Sequence, residues 1–267
     1  MGCRRAAGGR LAGRRRDHRV SAVILALIAG AVIGLALGAL GGGGSVLAVP
    51  ALIYLLGFTP VAATTASLVI VTVTSATALS AHARDGHVRW RAGLLFAAAG
   101  IGPAMLGGAL AGHLPAAVLT AAFAVIAAAA ALRMLRPRSV PENATPVRPG
   151  RAAATGAGLG AVTGVLGVGG GFLAVPALVS ALGMRMRAAI GTSLLVITVN
   201  SLSALAMRAG TAGGLDWAVI GPFAGAAILG AWDGKRLSAK LSAGTLQRVF
   251  ALVLLAVAGF MLVDAVA

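Results

Sequence analysis

Two glycine-rich blocks are the residues of this chain best suited to hold a ligand. The first reads Gly41-Gly42-Gly43-Gly44-Ser45 and the second Gly167-Val168-Gly169-Gly170-Gly171. Adjacent glycines break a helix and let backbone approach closely. Each block separates a long apolar stretch from a short one. A helix that begins there leaves its first N–H groups without intrahelical partners. Those groups carry about half a positive charge, and an anion is their natural partner. Gly42, Gly43, Gly44 and Ser45, with Gly169, Gly170 and Gly171, are therefore the first candidate binding residues. The competing role is close helix packing, for which spaced glycines suffice.

Small hydroxyls follow each block. The first set is Thr64, Thr65, Ser67, Thr72, Thr74, Ser75 and Thr77; the second is Thr192, Ser193, Thr198, Asn200, Ser201 and Ser203. A hydroxyl donates without charge, which suits an oxyanion that must be released again. Some of these residues must instead bond back to the i−4 carbonyl, because they cannot share one helix face. Thr64, Ser67, Thr192 and Ser193 lie nearest the glycines and complete the candidate site. Pro50 and Pro176 fall inside the short segments, where a kink and simple tolerance are equally open. His82 and His113 fall near segment ends and read as interfacial histidines rather than proton relays. Asp233 reads as an interfacial partner of Lys235 or Arg236, and Trp90 and Trp217 as belt residues.

The rest of the chain says what solvent surrounds these residues. Of 267 residues 59% are hydrophobic and 10% charged, and the mean hydropathy is +0.96. Soluble domains carry roughly 25% charge, so a water-soluble globule is excluded. No Asp, Glu, Lys or Arg lies in Val20–Ala83, Ala92–Leu132, Ala152–Met184, Ala188–Met207, Trp217–Trp232 or Val249–Val263. The chain is an all-α polytopic integral membrane protein. Its net charge of +16 sits in loops, as topology signals, not as a basic face for nucleic acid. Cys3 is the only cysteine and no Cys/His metal spacing exists, so no metal or other cofactor is expected. Carboxylates are absent from the apolar stretches, which argues against a carboxylate-based cation pump. There is no GxSxG, no HExxH and no buried Ser/His or Asp/Asp pair, so no enzyme is expected.

The chain divides into a basic arm (1–19), a first membrane repeat (20–135), an Arg/Pro-rich linker (136–151) and a second repeat (152–267). Each repeat has about four spans and one short element. The spans are Val20–Leu40, Val61–Ala83, Ala92–Ala111 and Pro115–Leu135, then Ala152–Val168, Arg187–Met207, Trp217–Gly234 and Leu246–Val263. The short elements are Val46–Gly57 and Phe172–Gly183. Twelve helical residues rise only about 18 Å against a hydrocarbon core of about 30 Å, so each short element reads as a broken or re-entrant helix. Leu47-Ala48-Val49-Pro50-Ala51-Leu52 recurs as Leu173-Ala174-Val175-Pro176-Ala177-Leu178 at an offset of 126. Ala62–Leu68 stands beside Ala188–Leu194 at the same offset, and Trp90 beside Trp217 with one residue more. This is an internal repeat.

The arm holds seven arginines before Val20 and is expected in the cytoplasm. If the short elements re-enter, Arg84, Arg89, Arg91 and the linker join it there, each repeat has four spans, and the two halves run parallel. That option satisfies the charge rule better. Arg185, Arg187, Lys235 and Arg236 then fall outside, so an odd count that inverts the repeat stays open.

A glycine-rich turn running into LAVPAL in both halves, followed by a Thr/Ser helix with a TSL step, resembles the sulfite exporter TauE/SafE family of membrane transporters. The resemblance covers about Ser21 to Val266. It implies a permease for sulfur-containing or organic anions such as sulfite or sulfoacetate. The first block ends in Ser45 where the second has Gly171, and Thr65-Ala66-Ser67 stands where the second half has Gly191-Thr192-Ser193. The function expected is movement of a small anion across the cytoplasmic membrane by alternating access, one half moving against the other. The alternative is a non-transporting membrane subunit or scaffold. The expected partners are the lipid bilayer and a small anionic substrate, not nucleic acid; a homo-oligomer is left open.

Overall fold

The computed structural model describes residues 23–111, 115–135, 148–166, 171–207 and 216–266. Among the described residues there are ten α-helices and no strand. The first repeat holds α1 (Val23–Leu40), α2 (Gly43–Pro50), α3 (Pro60–Arg84), α4 (Trp90–Ala111) and α5 (Ala116–Leu135). The second holds α6 (Pro149–Leu166), α7 (Gly171–Ser180), α8 (Met186–Met207), α9 (Trp217–Lys240) and α10 (Ala243–Val266). Eight are long, and α2 and α7 are the short elements of 8 and 10 residues. Four stretches, Val23–Leu40, Val61–Arg84, Met186–Met207 and Ala243–Phe260, are long and apolar enough to cross a membrane by length and composition. Leu106, Val125, Leu229 and Phe260 are exposed on the outside of the bundle. In water such a surface would be a liability; in lipid it is the ordinary outer face.

Local signals set the ends. Pro60 opens α3 behind Thr59, whose hydroxyl accepts from Ala62 N–H at 3.4 Å. Asp216 caps α9 by accepting from Ala218 N–H. The short elements end alike, at Gly57 and Gly183, both with positive φ. Phe58 N–H donates to Leu52 O and Met184 N–H to Leu178 O, each at 3.0 Å and each across six residues, so both short elements close with the same reversal.

The two repeats interlock. Gly30, Gly34 and Gly38 on α1 face the backbone carbonyls of Phe223, Ala227 and Ala231 on α9. Gly156, Gly160 and Gly164 on α6 face those of Phe96, Gly100 and Ala104 on α4. The second set is the first one displaced by 126 on the glycine side and 127 on the other. At each rung a Cβ would run into a carbonyl, so only glycine permits this approach. These are the spaced glycines of close membrane-helix packing. The first helix of each repeat thus packs along the fourth helix of the other, in parallel.

Chain directions settle how the halves relate. The equivalent helices α3 and α8 contact each other through Ser75 with Thr198 and through Arg89, just past α3, with Thr192. Numbers rise on one helix as they fall on the other, so the pair is antiparallel. Gln247 at the start of α10 donates to Met134 O at the end of α5, its equivalent, in the same sense. The halves are inverted, not parallel. His82 near the end of α3 lies on Gly38 near the end of α1, so α1 and α3 run the same way. Residues 41–59, short helix included, therefore return the chain to the far end. The even count favoured by the basic arm does not hold, because the short element completes a crossing.

Inversion sorts the charges. Arg84, Arg89, Arg91, Arg133, Arg148, Arg151, Arg185, Arg187, Lys235, Arg236, Lys240 and Arg248 are all the basic residues among those described, and all sit at one end of the bundle. The opposite end has Asp216 and Asp264. Trp90 marks the basic end and its equivalent Trp217 the other, and both are about half exposed, as belts at two interfaces require.

Candidate functional site

The first glycine block folds as a tight turn. Gly41 has φ +75°, a conformation that costs glycine nothing, and ends α1; Gly42 then stands at the N-terminus of α2. A Cβ on Gly42 would lie 2.6 Å from Gly171 O and 3.2 Å from Phe172 Cα. The start of α2 therefore meets the start of α7, one from each half. Gly41, Gly42, Gly44 and Gly171 are buried in protein, the condition under which irregular backbone is tolerated at membrane depth.

Ser193 ties this junction to the second half. Its hydroxyl lies 3.0 Å from Gly41 O and 2.8 Å from Ile190 O. Gly42, Gly171 and Ser193 are thus brought together from three helices. Gly43 and Ser45 lie in the first turn of α2. Gly44 has a packing role, since a Cβ there would meet Ile33 O and Leu37 on α1. Thr192 is fully buried and accepts from Arg89 N–H at 3.1 Å, so it secures the start of α4. Ser67, the equivalent of Ser193, is buried and donates to Thr64 O at 2.8 Å. Thr64 is half-buried on the first turns of α3. Gly169 and Gly170, with the rest of the second turn, lie outside the described residues, as does His113.

A polar seam lies below the junction, where α3 crosses α8. Thr198 donates to Ser75 across the two helices at 2.9 Å. Thr74 and Asn200, equivalent by the offset of 126, each hold a buried side-chain oxygen with no partner among the described residues. Both belong to the hydroxyl-rich helices read from the sequence, but neither was singled out there. Their signal is the pairing itself, polar residues at one offset within apolar helices. Most other hydroxyls bond to their own helix, as expected: Thr65 to Val61 O, Thr72 to Leu68 O and Thr77 to Val73 O.

His82 departs from its interfacial reading. It is 4% exposed and packed against α1, with Nε2 3.2 Å from Gly38 O. Beside it, at the basic end, Lys235 Nζ sits 2.9 Å from Asp85 Oδ2. The hydrogen-bonded ammonium holds the Asp85 carboxyl below the usual carboxylate range. Asp233 pairs loosely with Arg236 at 3.5 Å, as its position in the sequence suggested. Among the described residues no group of His, Cys, Asp and Glu has the makings of a metal site.

Known proteins resemble this chain over nearly its whole length. The family model described as "Sulfite exporter TauE/SafE" matches residues 26–261. Two relatives, each named "Probable membrane transporter protein", come from Xylella fastidiosa strains Temecula1 / ATCC 700964 and 9a5c. Each is 37% identical, with 90% of this chain and 94% of the relative covered. No solved structure matches. A family match across both inverted repeats, with relatives covered almost end to end, places the protein among multi-pass membrane transporters: the chain belongs to the sulfite exporter TauE/SafE family.

Proposed function

We propose that this transporter moves a small oxyanion of the sulfite or sulfonate class by alternating access across the cytoplasmic membrane, and is not an enzyme. The observation that carries the reading is the meeting of two interrupted helices, one from each inverted half, at Gly42 and Gly171. Interrupted helices at the interface of inverted repeats are the usual place for a transporter's substrate. The amides at those helix starts supply the donors, and the Ser193, Ser67 and Thr64 hydroxyls shape the pocket. The test is flux of radiolabelled sulfite and sulfonates into proteoliposomes, for wild type and Gly42→Ala. Saturable wild-type flux is expected, with a loss of at least about tenfold in the variant, equivalent to about 1.4 kcal/mol. A scaffold or subunit moves none of these anions, and unchanged flux in Gly42→Ala removes the junction from the binding role.

We infer the opposite orientation to the one the basic arm alone suggests. The arm's seven arginines draw the amino end of α1 to the cytoplasm, whereas the twelve basic residues of the rim draw the opposite end there. The rim residues sit within a few positions of helix ends, where the positive-inside rule acts most strongly. The rim therefore faces the cytoplasm and the amino end of α1 faces outward. Cys3 is the chain's only cysteine, so a membrane-impermeant maleimide reports the side directly. Labelling in intact cells is expected; labelling only after lysis reverses the orientation.

A further inference from the structure

The corner where α1, α3 and α9 approach the basic end holds a histidine that the transport reading does not use. His82 is buried, and its Nε2 lies 3.2 Å from Gly38 O. A carbonyl oxygen only accepts, so Nε2 carries the hydrogen and Nδ1 is a bare lone pair. That Nδ1 is buried and meets no donor among the described residues. A buried base without a donor is a place for a proton.

Its position relative to the glycine turn gives the proton something to do. Gly38 stands three residues before Gly41. Gly41 N–H donates to Leu37 O at 2.8 Å, and Gly41 O lies 3.0 Å from the Ser193 hydroxyl. His82 is therefore bonded to the last turn of α1, directly before the junction where α2 and α7 begin. A route outward exists as well. The His87 ring lies 6.4 Å from that of His82, centroid to centroid, and is only half-buried. His87 N–H donates to His82 O at 3.2 Å, so the two residues are held together.

The charges facing His82 leave it without a counter-ion. Lys235 approaches from α9, and Asp85 and His87 from the α3–α4 connection. Described residues of α1 include no titratable group, and on α8 the single charged residue, Arg187, is turned to Ala239 O and Leu241 O. Asp85, the only carboxylate in this set, is already bonded to Lys235 at 2.9 Å. A protonated His82 would be a buried cation beside an ammonium, so it needs a negative partner from outside the protein. An oxyanion at the neighbouring junction is such a partner, and each charge then stabilises the other by linkage.

We propose that His82 takes up one proton, by way of His87, together with the transported oxyanion, so that anion and proton bind as a coupled pair. This rests on the oxyanion reading of the Gly42–Gly171 junction. The experiment uses the full-length protein in detergent, with sulfite, methanesulfonate and sulfoacetate as probes. Methanesulfonate and sulfoacetate keep a fixed charge from about pH 6 to about pH 9. Calorimetric titration in buffers of different ionisation enthalpy counts protons taken up on binding. About one proton per anion is expected in wild type, with Kd rising about tenfold per pH unit above the ring's titration. His82→Gln keeps a donor for Gly38 O, and should bind with no proton uptake and a flat pH profile. Wild-type binding of a sulfonate without proton uptake overturns the proposal, as does undiminished uptake in His82→Gln. Should that variant not fold, the wild-type proton count and pH slope decide alone. If none of the three probes binds, the oxyanion reading itself fails and this proposal falls with it; binding without protons leaves that reading intact.

Discussion

At the α1–α9 interface Gly30, Gly34 and Gly38 meet the carbonyls of Phe223, Ala227 and Ala231; at the α6–α4 interface Gly156, Gly160 and Gly164 meet those of Phe96, Gly100 and Ala104. The two ladders match rung for rung. The short elements do not. Beyond Pro50, α2 continues as a π-helical turn over Ala51–Leu55, whereas α7 passes Pro176 and stays α-helical to Ser180. Tyr54 and Leu55 are exposed, while most of α7 is buried. His82 sits by the first glycine turn, and the residue 126 further on is Arg208. Inverted repeats thus share a frame, while the elements nearest the candidate site differ. Under the proposed alternating access, a symmetric frame would give the two end states similar packing, and an asymmetric site would let the proposed anion and proton be handled differently from the two sides.

The largest effect should come from breaking a rung. Gly34→Leu and Gly160→Leu each drive a side chain into backbone that cannot move aside. Each should cost more than the roughly 1–3 kcal/mol of ordinary overpacking, and by equal amounts. Loss of the monodisperse species in detergent and a lowered Tm are the readouts; one tolerated variant would show that the ladders are not equivalent. Next comes the comparison of Ser193→Ala with Ser67→Ala. Among the described residues Ser193 is bonded to a glycine turn and Ser67 to Thr64 O on its own helix, so loss of the Ser193 hydroxyl, worth about 1 kcal/mol, should slow flux about fivefold. Ser67→Ala should do less, and equal losses would make the site symmetric. Smallest is Asp85→Asn. The Asp85 carboxyl is held low by Lys235, so its contribution is present above the ordinary carboxylate pKa and is lost as pH falls through the depressed value. The carboxylate is 44% exposed, so the change in stability at neutral pH should stay below about 1 kcal/mol. The Tm difference between wild type and variant should vanish in acid.

Much of this was legible in the residues. Runs of adjacent glycine ahead of LAVPAL marked both breaks, because few sequences interrupt an apolar stretch twice at one offset. The relative direction of the halves was not legible. It depends on whether twelve residues of short helix complete a crossing, and the arginines of the arm pulled that choice toward re-entry. The ladders were missed although Gly30-Gly34-Gly38 and Gly156-Gly160-Gly164 carry a four-residue spacing at the offset of 126; that periodicity was the available signal. Thr192 looked like a pocket hydroxyl beside Ser193, yet adjacent helix positions point about 100° apart. One faces the glycine turn and the other the start of α4. His82 looked interfacial because it lies near a span end, but in the fold it is buried with its ring against α1.

The exchange of first helices between repeats fixes which parts can travel as units. Each glycine helix is clasped to a helix encoded in the opposite half, at backbone distance, so neither half can tilt alone without prying three rungs open. The natural rigid bodies are the α1–α9 and α4–α6 pairs, each stitched from both halves. Alternation between an outward and an inward mouth would be a rocking of those mixed pairs about the α3–α8 crossing. If the molecule alternates as proposed, the line along which it opens cuts across the duplication written in its sequence.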